Sequence, residues 1–201
     1  GEGGLLTTDD DEIIARATIY SGSYMLFERH GTVPEADVFS DIKLDTPNYS
    51  GRMDNLRAAI LRAQLPGLDQ NCARWNERYR ALESRLAQNS RILLPQRPEQ
   101  ESYVGSSLQF RVADFDQQQV SAFVDNCATR GVELKWFGGA EPHGFTSRYD
   151  SWRYTGNTQQ LPQTLEILAT TFDLRIPLTF SIEDMGIIGS IIDEEATEIL
   201  G

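Results

Sequence analysis

The chain has 201 residues, of which 40% are hydrophobic and 24% charged, a balance that excludes a disordered tail and supplies enough apolar side chains for a buried core. Eighteen Lys and Arg against 30 Asp and Glu leave a formal net charge of −12. That is the wrong sign for gripping a nucleic-acid backbone or an anionic membrane surface. Lysine is nearly absent: Lys43 and Lys135 stand alone among arginines. Cys72 and Cys127 fall in apolar helical patterns, which predicts reduced core thiols and a cytoplasmic setting. No run approaches the roughly 20 apolar residues that a bilayer-crossing helix needs.

Gly1 to Thr8 reads as a glycine-rich turn entering a short strand. Thr8 with Asp11 makes a capping-box pattern, and Asp9, Asp10 and Asp11 suit a helix N-terminus. The pattern predicts a helix to Tyr20 with Ile13, Ile14, Ala17 and Tyr20 on its buried side. Gly31 to Asn48, with Pro34 and Pro47, reads as a long irregular connection. From Arg52 a second helix is expected, with Met53, Leu56, Ile60 and Ala63 on one face, before the break at Pro66 and Gly67. Leu68, Cys72, Trp75, Tyr79, Leu82 and Leu86 then mark the apolar stripe of a long helix.

The remainder reads as a compact α+β unit. Leu108, Phe110 and Val112 alternate as a half-buried strand. Asp116 and Gln119 cap a helix carrying Val120, Phe123, Val124 and Cys127, and Gly131 ends it. Val132, Leu134 and Trp136 form a second strand. After a polar, aromatic loop come a helix from Pro162 to Thr170 and a third strand from Leu174 to Leu178. Ser181 with Asp184 caps the last helix.

No metal-ligand spacing, Cys–His pair, Gly-x-Ser-x-Gly elbow or Walker loop is present. Two clusters remain. Thr46 to Met53 feeds a helix start with an amide, a phenol, a hydroxyl and a guanidinium, a set suited to an anion and above all a phosphate. The other reading is a capped loop with a solvated arginine. Trp136 to Tyr154 is dense in aromatics and arginines, which suits a recognition surface or a small satellite core.

The strings GEGGLLTTDDDEI, RHG, NYSGRMDNLRAAILRAQLPGLD and LRIPLTFSIEDMGII, in this order, resemble the DegT/DnrJ/EryC1/StrS aminotransferases, and the resemblance covers essentially the whole chain. VELKWFGGAEPHGFTSRYDSWRY is similar to the substrate-side loop of some members. The resemblance implies an α/β fold of the pyridoxal-phosphate transferase type, here its C-terminal half: a three-layer remnant plus a small α+β domain with a short, mostly antiparallel sheet. Residues 1–65 would be the remnant of the large domain, and 66–201 the linking helix and small domain.

It further implies a pyridoxal-phosphate-dependent aminotransferase acting on a nucleotide-linked keto sugar, with glutamate as donor, working as a homodimer. Asn48, Tyr49 and Arg52 match the loop that reaches the cofactor phosphate across the dimer, although Ser50 and Gly51 depart from the common spacing. His143, Arg148 and Tyr149 would face the substrate. The family's Schiff-base lysine precedes the Gly-Glu-Gly-Gly strand, and neither Lys43 nor Lys135 matches it. This chain alone is therefore expected to be inactive and to bind no cofactor, with roughly its first 20 to 50 residues disordered or completed by a second copy. The alternatives are a non-catalytic binding or assembly module on the same scaffold, and part of a related sugar dehydratase.

Overall fold

The computed structural model describes residues 4–22, 31, 33–47, 49, 51–140, 148–150 and 159–200. The chain divides into two compact units, Gly1–Pro66 and Gly67–Gly201.

The first unit is helical among its described residues. Helix α1 spans Asp11–Tyr20, α2 Phe39–Asp45 and α3 Asn55–Gln64. The α1 cap is Asp10, whose carboxylate accepts the N–H groups of Glu12 and Ile13, and Thr8 Oγ1 accepts the N–H of Asp10. The cap thus falls two residues later than the Thr8 pattern predicts. Gly22, at φ 102°, turns the chain away and donates to the Ile19 carbonyl. Ala15 and Ile19, one turn apart, pack on Phe39 and Ile42 of α2. The expected face is therefore rotated: Ile13 and Tyr20 are exposed, and small Ala15 meets α2. Helix α2 lies inside the stretch read as irregular, because seven residues between two prolines are too few to show a helical period. The stripe of Leu56 and Ile60 exists on α3, but no described residue of its own unit buries it, and Leu56 stays 72% exposed.

A 3-10 turn, Leu65–Gly67, precedes α4, Leu68–Leu86. Among the described residues of the second unit four strands follow: β1 Ile92–Leu93, β2 Ser107–Val112, β3 Lys135–Trp136 and β4 Thr171–Arg175. They pair antiparallel in the order β1-β2-β4-β3. The described residues also form three further helices: α5 Gln117–Thr129, α6 Pro162–Ala169 and α7 Ile182–Leu200. Alternation on β2 sends Leu108, Phe110 and Val112 into the core with Phe172 and Leu174 of β4. Tyr79, Leu82 and Leu86 of α4, Phe123 and Cys127 of α5, and Met185 and Ile192 of α7 close over that face. Phe123 sets its edge against Phe110, Phe115 and Phe172, at centroid distances of 6.5, 5.4 and 5.1 Å.

Of the three expected capping patterns, the two in the second unit form, at Asp116–Gln119 and Ser181–Asp184. Strand β4 starts three residues earlier than the sequence suggests. Phe172, Leu174 and Ile176 alternate inward, and the ladder stops before Pro177, which has no N–H to donate. The short β1 was not expected. Helices α4 and α7 approach at Gly189, where a Cβ would lie 2.7 Å from Arg85 Cγ. Arg85 is itself tied to Ser190 at 3.1 Å and to Asp193 at 2.8 Å. Arg130, just past α5, bridges to Glu194 and to the buried Glu195 of α7, at 2.7 and 2.8 Å. Helix α4 also holds the segment before α7 through its backbone: Trp75 Nε1, Arg74 and Arg78 donate to the carbonyls of Ile176, Leu178 and Phe180. Among the described residues no helix is long and apolar enough to cross a membrane.

Candidate functional site

The first cluster is built by the loop between α2 and α3. Thr46 is buried, and its hydroxyl accepts from Arg16 of α1 at 3.4 Å. Arg16 is in turn held by Glu12 at 2.7 Å, and this hydrogen bond raises the guanidinium above its ordinary pKa. The loop then runs along the end of α1. Tyr49 N–H donates to the Tyr20 carbonyl at 3.2 Å, and Gly51 and Arg52 N–H both donate to the Ser21 carbonyl, at 3.2 and 3.0 Å. The rings of Tyr20 and Tyr49 are stacked, 5° from parallel with centroids 5.9 Å apart.

Arg52 is exposed and makes no ion pair with any described residue. The start of α3 is already satisfied by its own cap. Asp54 accepts the Arg57 N–H at 2.9 Å and pairs with the Arg57 guanidinium at 3.0 Å. An anion here would meet Arg52 and the Tyr49 phenol rather than the bare end of the helix. An exposed guanidinium and an exposed phenol on one loop are groups that suit a phosphate such as that of pyridoxal phosphate. Asn48 lies outside the described residues.

The second cluster lies in the second unit. Trp136 Nε1 donates to the Ala169 carbonyl at 2.9 Å and so closes the C-terminal end of α6. Gly138 is required there, since a Cβ would lie 2.7 Å from the Ala169 Cα. A cavity of about 270 Å³ opens beside these residues, with Phe115, Gln117, Leu165 and Arg148 among its walls. Arg148 is not a free cation. Its Nε donates to Asp150 Oδ1 at 2.8 Å and a terminal nitrogen to Oδ2 at 2.5 Å. That hydrogen-bonded pair raises the Arg148 pKa and lowers that of Asp150. Tyr149 turns its hydroxyl to the start of α6, where it accepts the Leu161 N–H at 2.9 Å. Arg148 therefore offers its remaining N–H groups to hydroxyls more readily than to an unscreened anion. His143 lies outside the described residues.

Both lysines are accounted for. Lys43 is half-buried on α2. Lys135 Nζ lies 3.6 Å from the buried Asp173, which also accepts from Gln109, so one polar row crosses β2, β4 and β3. This is a structural use of a lysine. Sequence reasoning missed Tyr20, Ser21, Asp150 and Asp173. Asp150, two residues from Arg148, was open to view as a short-range partner; Tyr20 was assigned to the core face of α1.

The model of the DegT/DnrJ/EryC1/StrS aminotransferase family matches residues 1–192. Among solved structures, 3-amino-5-hydroxybenzoic acid synthase is similar with a TM-score of 0.64 at 16% identity, over 90% of this chain and 46% of that one. PseC of Helicobacter pylori, an aminotransferase involved in pseudoaminic acid biosynthesis, gives 0.64 at 9% identity over 83% and 48%. DesI, solved in the presence of its TDP-sugar product, gives 0.61 at 14% identity over 83% and 44%. The chain thus spans less than half the length of each of these structures, and the likeness is one of fold. No curated protein matches the chain significantly.

Proposed function

Because the chain belongs to the DegT/DnrJ/EryC1/StrS aminotransferase family, we propose that it forms the C-terminal portion of a pyridoxal-phosphate-dependent aminotransferase acting on a nucleotide-linked keto sugar. The family's cofactor is pyridoxal phosphate, and when bound it supplies the electron sink that amino-group transfer requires. Glutamate is the proposed donor, and residues 1–65 and 66–201 are the proposed remnant of the large domain and the small domain. A homodimer in the cytoplasm belongs to the same reading.

One observation carries the proposal: Arg52 is exposed, without an ion pair to any described residue, on a loop whose backbone is hydrogen-bonded onto the end of α1. In this reading Arg52 and Tyr49, with Asn48, take the cofactor phosphate. Arg148 and Tyr149, with His143, line the substrate side, where a guanidinium already partnered by Asp150 orients sugar hydroxyls. The amine that would join the cofactor covalently is neither Lys43 nor Lys135. Lys135 is engaged by Asp173, whereas a Schiff-base lysine needs its amine free.

The test is to incubate the 201-residue chain with pyridoxal phosphate, reduce with borohydride and map any adduct by mass spectrometry. No stoichiometric adduct at either lysine is expected. A specific adduct at Lys43 or Lys135 would make this chain a complete nucleophile-bearing unit and end the reading. A non-catalytic assembly module is a second reading, supported by the exposed Leu5, Leu6, Leu56 and Ile60 of the first unit.

A further inference from the structure

The last carbonyls of α1 have no partner inside the helix, as at every helix C-terminus. Here they are taken up by a segment nearly thirty residues on in the sequence. Tyr20 O accepts from Tyr49, and Ser21 O accepts from both Gly51 and Arg52. The Tyr20 and Tyr49 rings add a parallel stack to the same junction. Neither ring is core: Tyr20 is 42% and Tyr49 61% exposed. Burial therefore does not account for the pairing; what it does is hold the backbone that leads into Arg52.

We propose that Tyr20 is a positioning residue for anion binding. Its ring fixes Tyr49, and the end of α1 fixes the Gly51–Arg52 backbone, so that the Arg52 guanidinium is presented to a phosphate from one place. The inference rests on the assignment of Tyr49 and Arg52 to the cofactor phosphate made above. It adds a residue on another helix that touches neither cofactor nor substrate. Arginine carries a large rotamer entropy, and anchoring its backbone removes part of the cost of ordering it on a ligand.

The test uses the intact gene product with four substitutions: Tyr20→Ala, Tyr20→Leu, which keeps bulk should the alanine variant unfold, Tyr20→Phe, which keeps the ring, and Arg52→Gln. Two quantities are measured: affinity for pyridoxal phosphate, with inorganic phosphate as competitor, and hydrogen exchange at the Gly51 and Arg52 amides without ligand. Loss of one aromatic stack should weaken phosphate binding about three- to tenfold in Tyr20→Ala and Tyr20→Leu, with faster exchange at both amides, while Tyr20→Phe stays within about twofold of wild type. Wild-type affinity in the alanine and leucine variants, with Arg52→Gln weakened, would overturn the positioning role and leave the Arg52 assignment standing. Wild-type affinity in Arg52→Gln would overturn both.

Discussion

Helix α7 contains two glycines three residues apart, and they should respond to the same substitution with opposite signs. A Cβ at Gly186 would meet no atom within 4 Å. Replacing it with alanine keeps only the propensity gain, about 0.5–1 kcal/mol of added stability. A Cβ at Gly189 would lie 2.7 Å from Arg85 Cγ, 3.1 Å from Arg85 Cβ and 3.3 Å from Leu82 Cδ1. The two nearest are atoms at the root of the Arg85 side chain, whose head is tied to Ser190 and Asp193, so it cannot swing aside without losing both contacts. Overpacking of this kind costs about 1–3 kcal/mol, which outweighs the same propensity gain. The two variants should therefore differ by about 2 kcal/mol, or about 4–8 °C in Tm for a unit of this size. Urea unfolding and differential scanning calorimetry of the two single variants and wild type would measure the difference. If Gly189→Ala proves as stabilising as Gly186→Ala, α4 and α7 are not in the close contact described, and the argument fails.

Four further outcomes follow from the second unit. Burial, with Glu195 close by, pushes the Cys127 thiol up to about 12, so Cys72 should react with a thiol reagent in the native chain while Cys127 reacts only on unfolding, as mass mapping of the label would show. The same shift gives a pH dependence. Below the ordinary thiol value both states keep the proton and stability is full; above it the unfolded chain ionises first, so Cys127 removes up to about 1.4 kcal/mol per pH unit as pH rises toward 12. A Cys127→Ala variant should flatten that part of a stability–pH profile. Asp116→Ala should cost about 1 kcal/mol in chemical unfolding by removing the α5 capping box, with Asp116→Asn recovering most of it. Asp114 sits at φ 65°, so Asp114→Val should destabilise by about 1–2 kcal/mol whereas Asp114→Gly is tolerated, again read by chemical unfolding.

Reading the sequence succeeded where the determinants are local. The α4 stripe placed Tyr79, Leu82 and Leu86 in the core, and the Asp116 and Ser181 caps set the starts of α5 and α7. It failed where the partner decides. The α3 stripe is apolar, but no described residue of its unit buries it, and α1 turns toward α2 by the face that carries Ala15 and Ile19. In β4 the alternation of Phe172, Leu174 and Ile176 with polar residues marks an inward face but not the ends of the strand; those come from the pairing with Phe110 and Leu108 opposite. The site residues divide in the same way. Arg52 was visible as a cation in a polar loop, and the structure leaves it exposed. The end of α1 that carries its backbone could not be found by spacing, because a carbonyl is the same in every residue.

That generic character of the carbonyl has a wider consequence in the second unit. Helix α4 grips the stretch from Ile176 to Phe180 through Trp75, Arg74 and Arg78, and in each case the acceptor is main chain. Such a grip is indifferent to side-chain chemistry. Leu178 and Phe180 can be exchanged for many other residues without loosening it, and the launch angle of α7 would survive the exchange. The sensitivity lies wholly on the donors. A library randomised at Leu178 and Phe180 should retain folded members in abundance, whereas one randomised at Trp75 and Arg78 should be sparse.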